Sequence, residues 1–126
     1  MSDLLDQARR TADEAHWLLD GNRPVGAVSR AYYAMYSAAR AALQHVDPKL
    51  NRTKTHGGLL RQFSKHIVRE RGFDSALAKA LRQASEVRME ADYDSATIGI
   101  EAAKTMVASM DEFVAAVAAF LEIPQP

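Results

Sequence analysis

The fold is decided by residues 100–121, which read IEAAKTMVASMDEFVAAVAAFL. Apolar side chains recur in this stretch in steps of three and four residues. They are Ile100, Ala103, Val107, Met110, Val114, Val117 and Leu121. Because this spacing places all of them on one side of a helix over about three heptads, the stretch predicts a long helix with a seam of coiled-coil type. Such a seam favours an antiparallel neighbouring helix in a bundle.

The same helical spacing continues towards the N-terminus, and Gly, Pro and Asp mark its breaks. We expect five helices: from a Ser2 cap to about Asp20, from Pro24 to near Asp47, from Thr55 or His56 to Gly72, from an Asp74 cap to about Tyr93, and from an Asp94-Ser95 cap to about Glu122. No segment shows the period-two alternation of a strand. The sequence therefore predicts an all-α antiparallel helical bundle in one domain, residues 1–126, with a short frayed tail that contains proline at 123–126.

The composition fits one core of ordinary size, because 48% of the 126 residues are hydrophobic. Sixteen basic and sixteen acidic side chains cancel, so no global field recruits nucleic acid or an anionic membrane. The charges are nevertheless segregated. The segment from Lys49 to Arg71 contains seven Lys and Arg residues and a single acid, Glu70. The segment from Glu86 to Glu122 contains eight acids and two basic residues. This asymmetry is compatible with self-association, with a local anion site, or with two solvated faces.

Several classes of site lack their sequence signatures. The absence of cysteine removes disulfides, thiolate metal sites and cysteine nucleophiles. The four histidines form no Glu-x-x-His or His-x-x-x-His pair, so we expect no metal site and no cofactor. The only glycine pair, Gly57-Gly58, lacks the Lys-Ser/Thr of a phosphate loop. No helix is densely basic after a short turn, so no DNA-reading element is expected.

The N-terminal residues predict no targeting segment. Met1-Ser2-Asp3 carries neither the basic region nor the apolar region of a signal peptide. No apolar run approaches ~20 residues, the length of a membrane-spanning helix. We therefore expect a cytoplasmic protein without a membrane span.

The first of three polar clusters is SRAYYAMY, residues 29–36. Arg30, Tyr33 and Ser37 share one sector of the predicted helix, because residues three and four positions apart are neighbours. An arginine and a tyrosine hydroxyl at the rim of a bundle can bind phosphate. Alternatively, Tyr32 and Tyr36 are core aromatic residues and Arg30 is a surface ion-pair partner.

The second cluster is KTHGG, residues 54–58. If a helix begins here, its free backbone N–H groups favour an anion, and Lys54 and His56 reinforce that preference. Alternatively, Thr55 is only an N-cap and His56 packs in the first turn.

The third cluster is RMEADY, residues 88–93. Arg88 and Asp92 are four positions apart, which suits an ordinary helical ion pair, and Tyr93 would then cover the end of the bundle. Alternatively, Arg88 lies near an interface and clamps a phosphate. The spacing alone does not distinguish between these two interpretations.

Taken in this order, the three clusters resemble the HEPN family, in particular its small single-domain prokaryotic branch. The resemblance rests on SRAYYAMY at 29–36, KTHGGL at 54–59 and RMEADY at 88–93, and it spans about residues 5–121. It implies four long helices plus one shorter helix, usually in a homodimer. It also implies association with a nucleotide or RNA, and often a minimal nucleotidyltransferase partner in a toxin–antitoxin-like two-component system.

The resemblance further implies that active members are metal-independent ribonucleases in which a histidine follows an arginine by a few positions. No histidine follows Arg88 in this chain, and Tyr93 stands near that position. A tyrosine with an ordinary pKa near 10 is poorly suited to acid–base catalysis at neutral pH. We therefore expect no imidazole in reach of Arg88, unless His56 takes that place in space.

These considerations favour a non-nucleolytic module that binds a nucleotide or a partner protein. A metal-independent ribonuclease and a purely structural dimeric interaction protein are the alternatives. In the favoured hypothesis Arg88 holds phosphate, Asp92 orients Arg88, and Tyr93 stacks or donates a hydrogen bond. The expected site or dimer cleft comprises Arg30, Tyr33, His56, Arg88, Asp92 and Tyr93, with Ser29, Lys54 and Thr55 as secondary candidates.

Overall fold

The computed structural model of the chain describes residues 3–52 and 55–125. These residues form five α-helices: α1 (Asp3–Asp20), α2 (Pro24–Val46), α3 (His56–Phe63), α4 (Ser75–Tyr93) and α5 (Ile100–Leu121). Two short 3₁₀ helices, Pro48–Arg52 and Ser95–Thr97, and a π-helical turn, Ser64–Arg69, lie between them. No strand occurs in the two described ranges. The predicted all-α fold of four long helices and one shorter helix is confirmed.

The directions of α1, α2 and α5 follow from contacts at one end of the bundle. His45, near the end of α2, donates from Nε2 to the carbonyl oxygen of Ile123 at 2.7 Å, and its ring lies 5.8 Å from that of Phe120. The last turns of α2 and α5 are therefore neighbours, so these two helices run in the same direction. Because α1 joins α2 through a turn of three residues, α1 runs antiparallel to both.

Helix α4 also runs antiparallel to α2 and α5. Phe73, just before α4, packs against Phe113 and Phe120 in the second half of α5. Arg88, near the end of α4, instead lies over Tyr32 in the first half of α2. The predicted seam of α5 thus has antiparallel neighbours in α1 and α4. Its main neighbour is the parallel helix α2, which the heptad pattern does not predict.

Helix α2 is the centre of the fold, and it packs against α1, α3, α4 and α5. The neighbours approach closely because much of its buried surface is alanine: Ala27, Ala31, Ala34, Ala38, Ala39, Ala41 and Ala42. Larger buried side chains, among them Tyr32, Met35 and Leu43, fill the gaps between the helices. A tyrosine buried on such a helix needs a hydrogen-bond partner from a neighbouring element.

One predicted helix cap is confirmed and one is wrong. Asp74 accepts a hydrogen bond from the amide of Ala76 at 2.9 Å and begins α4. Asp94 does not begin α5, because it caps the 3₁₀ helix Ser95–Thr97. The extended backbone of the buried Ile98 interrupts the helix, and α5 starts two residues later. The predicted Ser2 cap lies outside the described residues.

The third predicted helix and the tail also differ from expectation. The helix does run towards Gly72, whose φ of 72° suits a glycine, but after Phe63 it widens into the π-helical turn. The predicted frayed tail instead makes hydrogen bonds at Ile123 and Gln125. The Nε atom of Arg71 donates to Gln125 Oε1 at 2.9 Å, and the Ile123 carbonyl accepts the bond from His45 described above.

Candidate functional site

The packing brings parts of all three polar clusters together. Tyr32, in the first half of α2, has its hydroxyl oxygen 2.5 Å from Nδ1 of His56 in the first turn of α3. The guanidinium carbon of Arg88, in the last turns of α4, lies 5.1 Å from the centre of the Tyr32 ring. An imidazole and a guanidinium from two different elements therefore pack against one phenol. His56 is thus the imidazole near Arg88 that the sequence-based expectation named as the one exception.

Three tyrosines of α2 surround His56, and we refer to Tyr32, Tyr33 and Tyr36 as the tyrosine cluster. The imidazole lies nearly parallel to the Tyr32 ring, with an interplanar angle of 15° and 5.5 Å between ring centres. The corresponding distances to Tyr36 and Tyr33 are 4.7 Å and 6.3 Å. Contacts on several sides restrict the orientation of the imidazole ring.

The hydroxyl of Tyr32 connects α4 to His56. Tyr32 is only 1% exposed, and burial raises the pKa of its hydroxyl above the ordinary value, although a hydrogen bond from Ser85 and the charge of Arg88 act in the opposite direction. The phenol is therefore protonated at neutral pH. When the Ser85 hydroxyl donates to the phenolic oxygen, the phenolic hydrogen is left for Nδ1 of His56.

The environment of His56 favours the neutral ring. Partial burial lowers the pKa of its imidazole below the ordinary value, and the positive charge of Arg88 lowers it further. In the neutral ring one nitrogen accepts and the other carries hydrogen. When Nδ1 accepts the bond from Tyr32, Nε2 carries the hydrogen, and His56 can donate it to an anion.

Arg88 is held in place, but its donors are not all used. Its side chain is 18% exposed, and Nη1 donates to Asp92 Oδ2 at 2.8 Å. The guanidinium carbon also lies 5.9 Å from the centre of the Tyr33 ring, so the group contacts two aromatic rings. Nε is buried and has no hydrogen-bond partner among the described residues. The arrangement fixes a positive charge beside His56, away from bulk water.

Arg30 lies at the edge of this group. Its guanidinium carbon is 5.6 Å from the centre of the Tyr33 ring, so Arg30 and Arg88 contact the same aromatic side chain. Arg30 also forms an ion pair with Glu14 of α1 at 3.7 Å. The sequence left open whether Arg30 belongs to a polar site or to a surface ion pair, and the structure gives it both contacts.

Other predicted candidates take no part in the group. Tyr93 is 95% exposed, so its predicted role in covering the bundle end is wrong. Tyr93 follows Arg88 by five residues, and five residues of α-helix turn through about 140° beyond a full turn. Tyr93 therefore points away from the side of α4 that carries Arg88. Thr55 is the N-cap of α3, since its hydroxyl accepts from the amide of Gly58 at 3.0 Å. Ser29 is half-buried on α2 and makes no described hydrogen bond. Lys54 lies outside the described residues.

Tyr32 and Tyr36 were expected only to pack in the core, and Ser85 was not among the candidate residues. The available signal was the position of Tyr32 on the apolar face of α2, since a buried tyrosine hydroxyl normally finds a partner. The identity of that partner depends on how α3 and α4 pack against α2, and no local pattern shows this.

The described part of the chain also bears on metal binding and on membrane insertion. In residues 3–52 and 55–125, no group of three His, Asp or Glu side chains is arranged to hold a metal ion. No helix in these ranges is both long enough and apolar enough to cross a bilayer.

Comparisons with known proteins find similar sequences. A family model described as HEPN domain matches residues 1–120. A Methanocaldococcus jannaschii protein named "Putative toxin MJ0142" is 31% identical over 78% of this chain, and the match spans 64% of that protein, just under two thirds of its length. A Gloeobacter violaceus protein named "UPF0332 protein glr0978" is 31% identical over 75% of this chain and 72% of its own length. A second M. jannaschii protein, "Putative toxin MJ0605", is 27% identical over 88% of this chain and 81% of its own length. No solved structure matches the chain significantly.

Proposed function

Because the chain belongs to the HEPN domain family, we propose that it is a HEPN module that binds a nucleotide or the phosphate backbone of RNA through Arg88 and His56. We call these two residues and Arg30 the phosphate surface. The proposal rests mainly on one observation: Arg88 and His56 pack against the same Tyr32 ring. A fixed guanidinium and a neighbouring imidazole N–H are both donors suited to phosphate oxygens.

We further propose that the module acts as a toxin-like homodimer in the cytoplasm, alongside a minimal nucleotidyltransferase. The relatives named as toxins support the toxin-like part of this proposal. Helix α4 also exposes two large apolar side chains one turn apart, Met89 at 60% and Tyr93 at 95%. Exposed apolar groups beside a polar site fit a contact with a second protein chain.

A second candidate function is metal-independent cleavage of RNA. It is favoured by the position of His56, which supplies beside Arg88 the imidazole that the sequence after Arg88 lacks. Cleavage requires a ring nitrogen that is free to accept a proton. When the Tyr32 hydroxyl donates to Nδ1 of the neutral ring, Nε2 already carries hydrogen and neither nitrogen is free to accept a proton. The hydrogen bond from Tyr32 therefore favours binding over proton abstraction.

Titration of a fluorescein-labelled oligouridylate in EDTA tests both functions. We expect Arg88→Ala to weaken binding about tenfold, the usual effect of losing a charged hydrogen bond, with little change in melting temperature. Arg82→Ala, an exposed arginine on the same helix, is the matched control. Equal binding by wild type and Arg88→Ala would count against the phosphate surface. RNA cleavage that disappears in both Arg88→Ala and His56→Gln would instead establish the ribonuclease.

A further inference from the structure

A row of three basic side chains follows α3 and the π-helical turn after it. Arg61, Lys65 and Arg69 are all exposed, and we call them the basic ridge. They lie on the side opposite Phe63 and Ile67, which are buried in the core. The ridge therefore belongs to the solvent-facing surface of this segment.

The change of helix type keeps the ridge straight. Four residues slightly exceed a full turn of α-helix, so side chains with this spacing drift around an α-helix in one direction. A π-helical turn is wider, and four residues fall short of its full turn. Because the segment changes from α to π between Phe63 and Ser64, the two deviations offset each other. Arg61, Lys65 and Arg69 consequently stay in line.

None of the ridge cations has an ion-pair partner within the described ranges of the chain. The only acid between Lys49 and Arg71 is Glu70. Its carboxylate is already bound by His66 Nδ1 at 2.9 Å and Arg71 Nη1 at 3.3 Å. The ridge thus presents three positive charges that the segment itself does not neutralise.

The ridge begins beside the phosphate surface. The Nη1 atom of Arg61 would lie 3.5 Å from a Cβ atom built on Gly57, the residue that follows His56. Gly57 is exposed and has no side chain, so no atoms separate the Arg61 guanidinium from the backbone next to His56. The Arg61 guanidinium therefore lies beside the backbone of the residue that follows His56, at the end of the ridge nearest the phosphate surface.

We propose that the basic ridge binds the phosphate backbone of a single-stranded RNA whose leading phosphate lies at Arg88 and His56. The inference rests on the proposed function and extends it from one phosphate to several. RNA fits better than an acidic protein because the ridge has no exposed large apolar side chain. The exposed ones in the described ranges are Trp17, Met89, Tyr93 and Ile123, all outside the ridge segment. Protein interfaces depend on such anchors, whereas a basic strip follows a strand by charge.

The test compares ligands of two lengths. The triple variant Arg61→Gln, Lys65→Gln, Arg69→Gln should bind a twelve-nucleotide oligouridylate more weakly than wild type does, and should bind the dinucleotide UpU equally well. Since each phosphate contact to a single strand adds roughly 0.7 to the slope of log K against log salt, the slope should fall by about 2. A triple variant that removes the same charge elsewhere, Arg9→Gln, Arg10→Gln, Lys79→Gln, should leave both affinities unchanged.

The outcomes separate this inference from the proposed function. If the ridge variant binds the twelve-nucleotide RNA with the wild-type affinity and salt slope, the ridge does not bind RNA. This holds even if Arg88→Ala still weakens binding of both ligands. If Arg88→Ala weakens binding of neither ligand, the proposed phosphate surface is wrong. If the ridge variant keeps RNA binding and loses a co-purifying acidic protein, the ridge is a protein-binding surface and the RNA inference is wrong.

Discussion

Nδ1 of His56 lies 2.5 Å from the hydroxyl oxygen of Tyr32, although 24 residues separate the two in sequence. This contact determines which chemistry His56 can perform. When the phenol donates, the imidazole presents an N–H to its surroundings and can bind an anion. When the phenol turns towards Ser85, the other tautomer presents an unprotonated nitrogen, which a proton-transfer reaction requires.

Tyr32→Phe should change the tautomer of His56. The variant keeps the ring and loses the hydrogen that holds Nδ1, so long-range ¹H–¹⁵N spectra should show a smaller fraction of the Nε2–H form. Loss of the buried hydroxyl should also reduce the free energy of unfolding by about 1–3 kcal/mol, measured in urea, because the partners of that hydroxyl are left unsatisfied. Tyr36→Phe is the control, since Tyr36 packs on His56 without a described hydrogen bond to it. Identical imidazole spectra for wild type and Tyr32→Phe would contradict this assignment.

His56 should make the stability of the protein depend on pH. Burial and Arg88 lower the pKa of His56 in the folded state below the unfolded value of about 6.5. The unfolded state therefore binds more protons as the solution is acidified. The contribution of His56 is fully present above pH ~6.5 and is lost as pH falls through the folded pKa. Urea unfolding of His56→Gln should lack this component, and parallel pH profiles for wild type and variant would refute it.

RNA binding should strengthen as pH falls from neutral towards about 6. A bound phosphate favours the imidazolium, so it raises the pKa of His56 and the complex takes up a proton. Calorimetry in buffers of different ionisation enthalpy measures this uptake directly. His56→Gln should bind with the same affinity across this range. Affinity that weakens on acidification would place His56 away from the phosphate.

Arg88→Lys should weaken binding of the oligouridylate although it conserves the charge, but by less than Arg88→Ala does. The guanidinium contacts the Tyr32 and Tyr33 rings and also donates to Asp92. A lysine ammonium is a compact point charge and cannot make these planar contacts together. If fluorescence titration gives equal affinities for wild type and Arg88→Lys, charge alone accounts for the role of Arg88.

The double variant Met89→Glu, Tyr93→Glu should convert the proposed dimer into a monomer of unchanged helix content. Both side chains are exposed, so two added charges disturb an interface without disturbing the core. Light scattering coupled to size exclusion measures the mass. Trp17→Glu, at an equally solvent-exposed apolar position on α1, should remain dimeric. A dimer that survives the α4 variant and dissociates in Trp17→Glu would move the interface to α1.

The fold could be predicted from the sequence because helical periodicity is a local property. The seam from Ile100 to Leu121, the Asp74 cap and the stop near Gly72 are each readable within a few residues. The late start of α5 was missed, since the burial of Ile98 depends on the whole core rather than on its neighbours. The π-helical turn likewise has no distinct pattern in the sequence.

The site could be predicted only in part for the same reason. Arg30, Tyr33, His56, Arg88 and Asp92 were singled out by residue type, and the structure places them in one connected group. Tyr93 lies apart from this group, because its position relative to Arg88 depends on helical rotation, and its place in a dimer contact stays a prediction. Tyr32 was taken for a core residue, and it is one, but its polar end also binds His56.

The alanine-rich surface of α2 has a consequence for how ligands are received. With methyl groups as the spacers, the surrounding helices have little room to slide or tilt without a steric clash. Ligand binding must then rely on side chains already held in place, such as Arg88, rather than on rearrangement of the backbone. The module is accordingly expected to meet its ligand with its binding geometry already formed, which reduces the entropy lost on association.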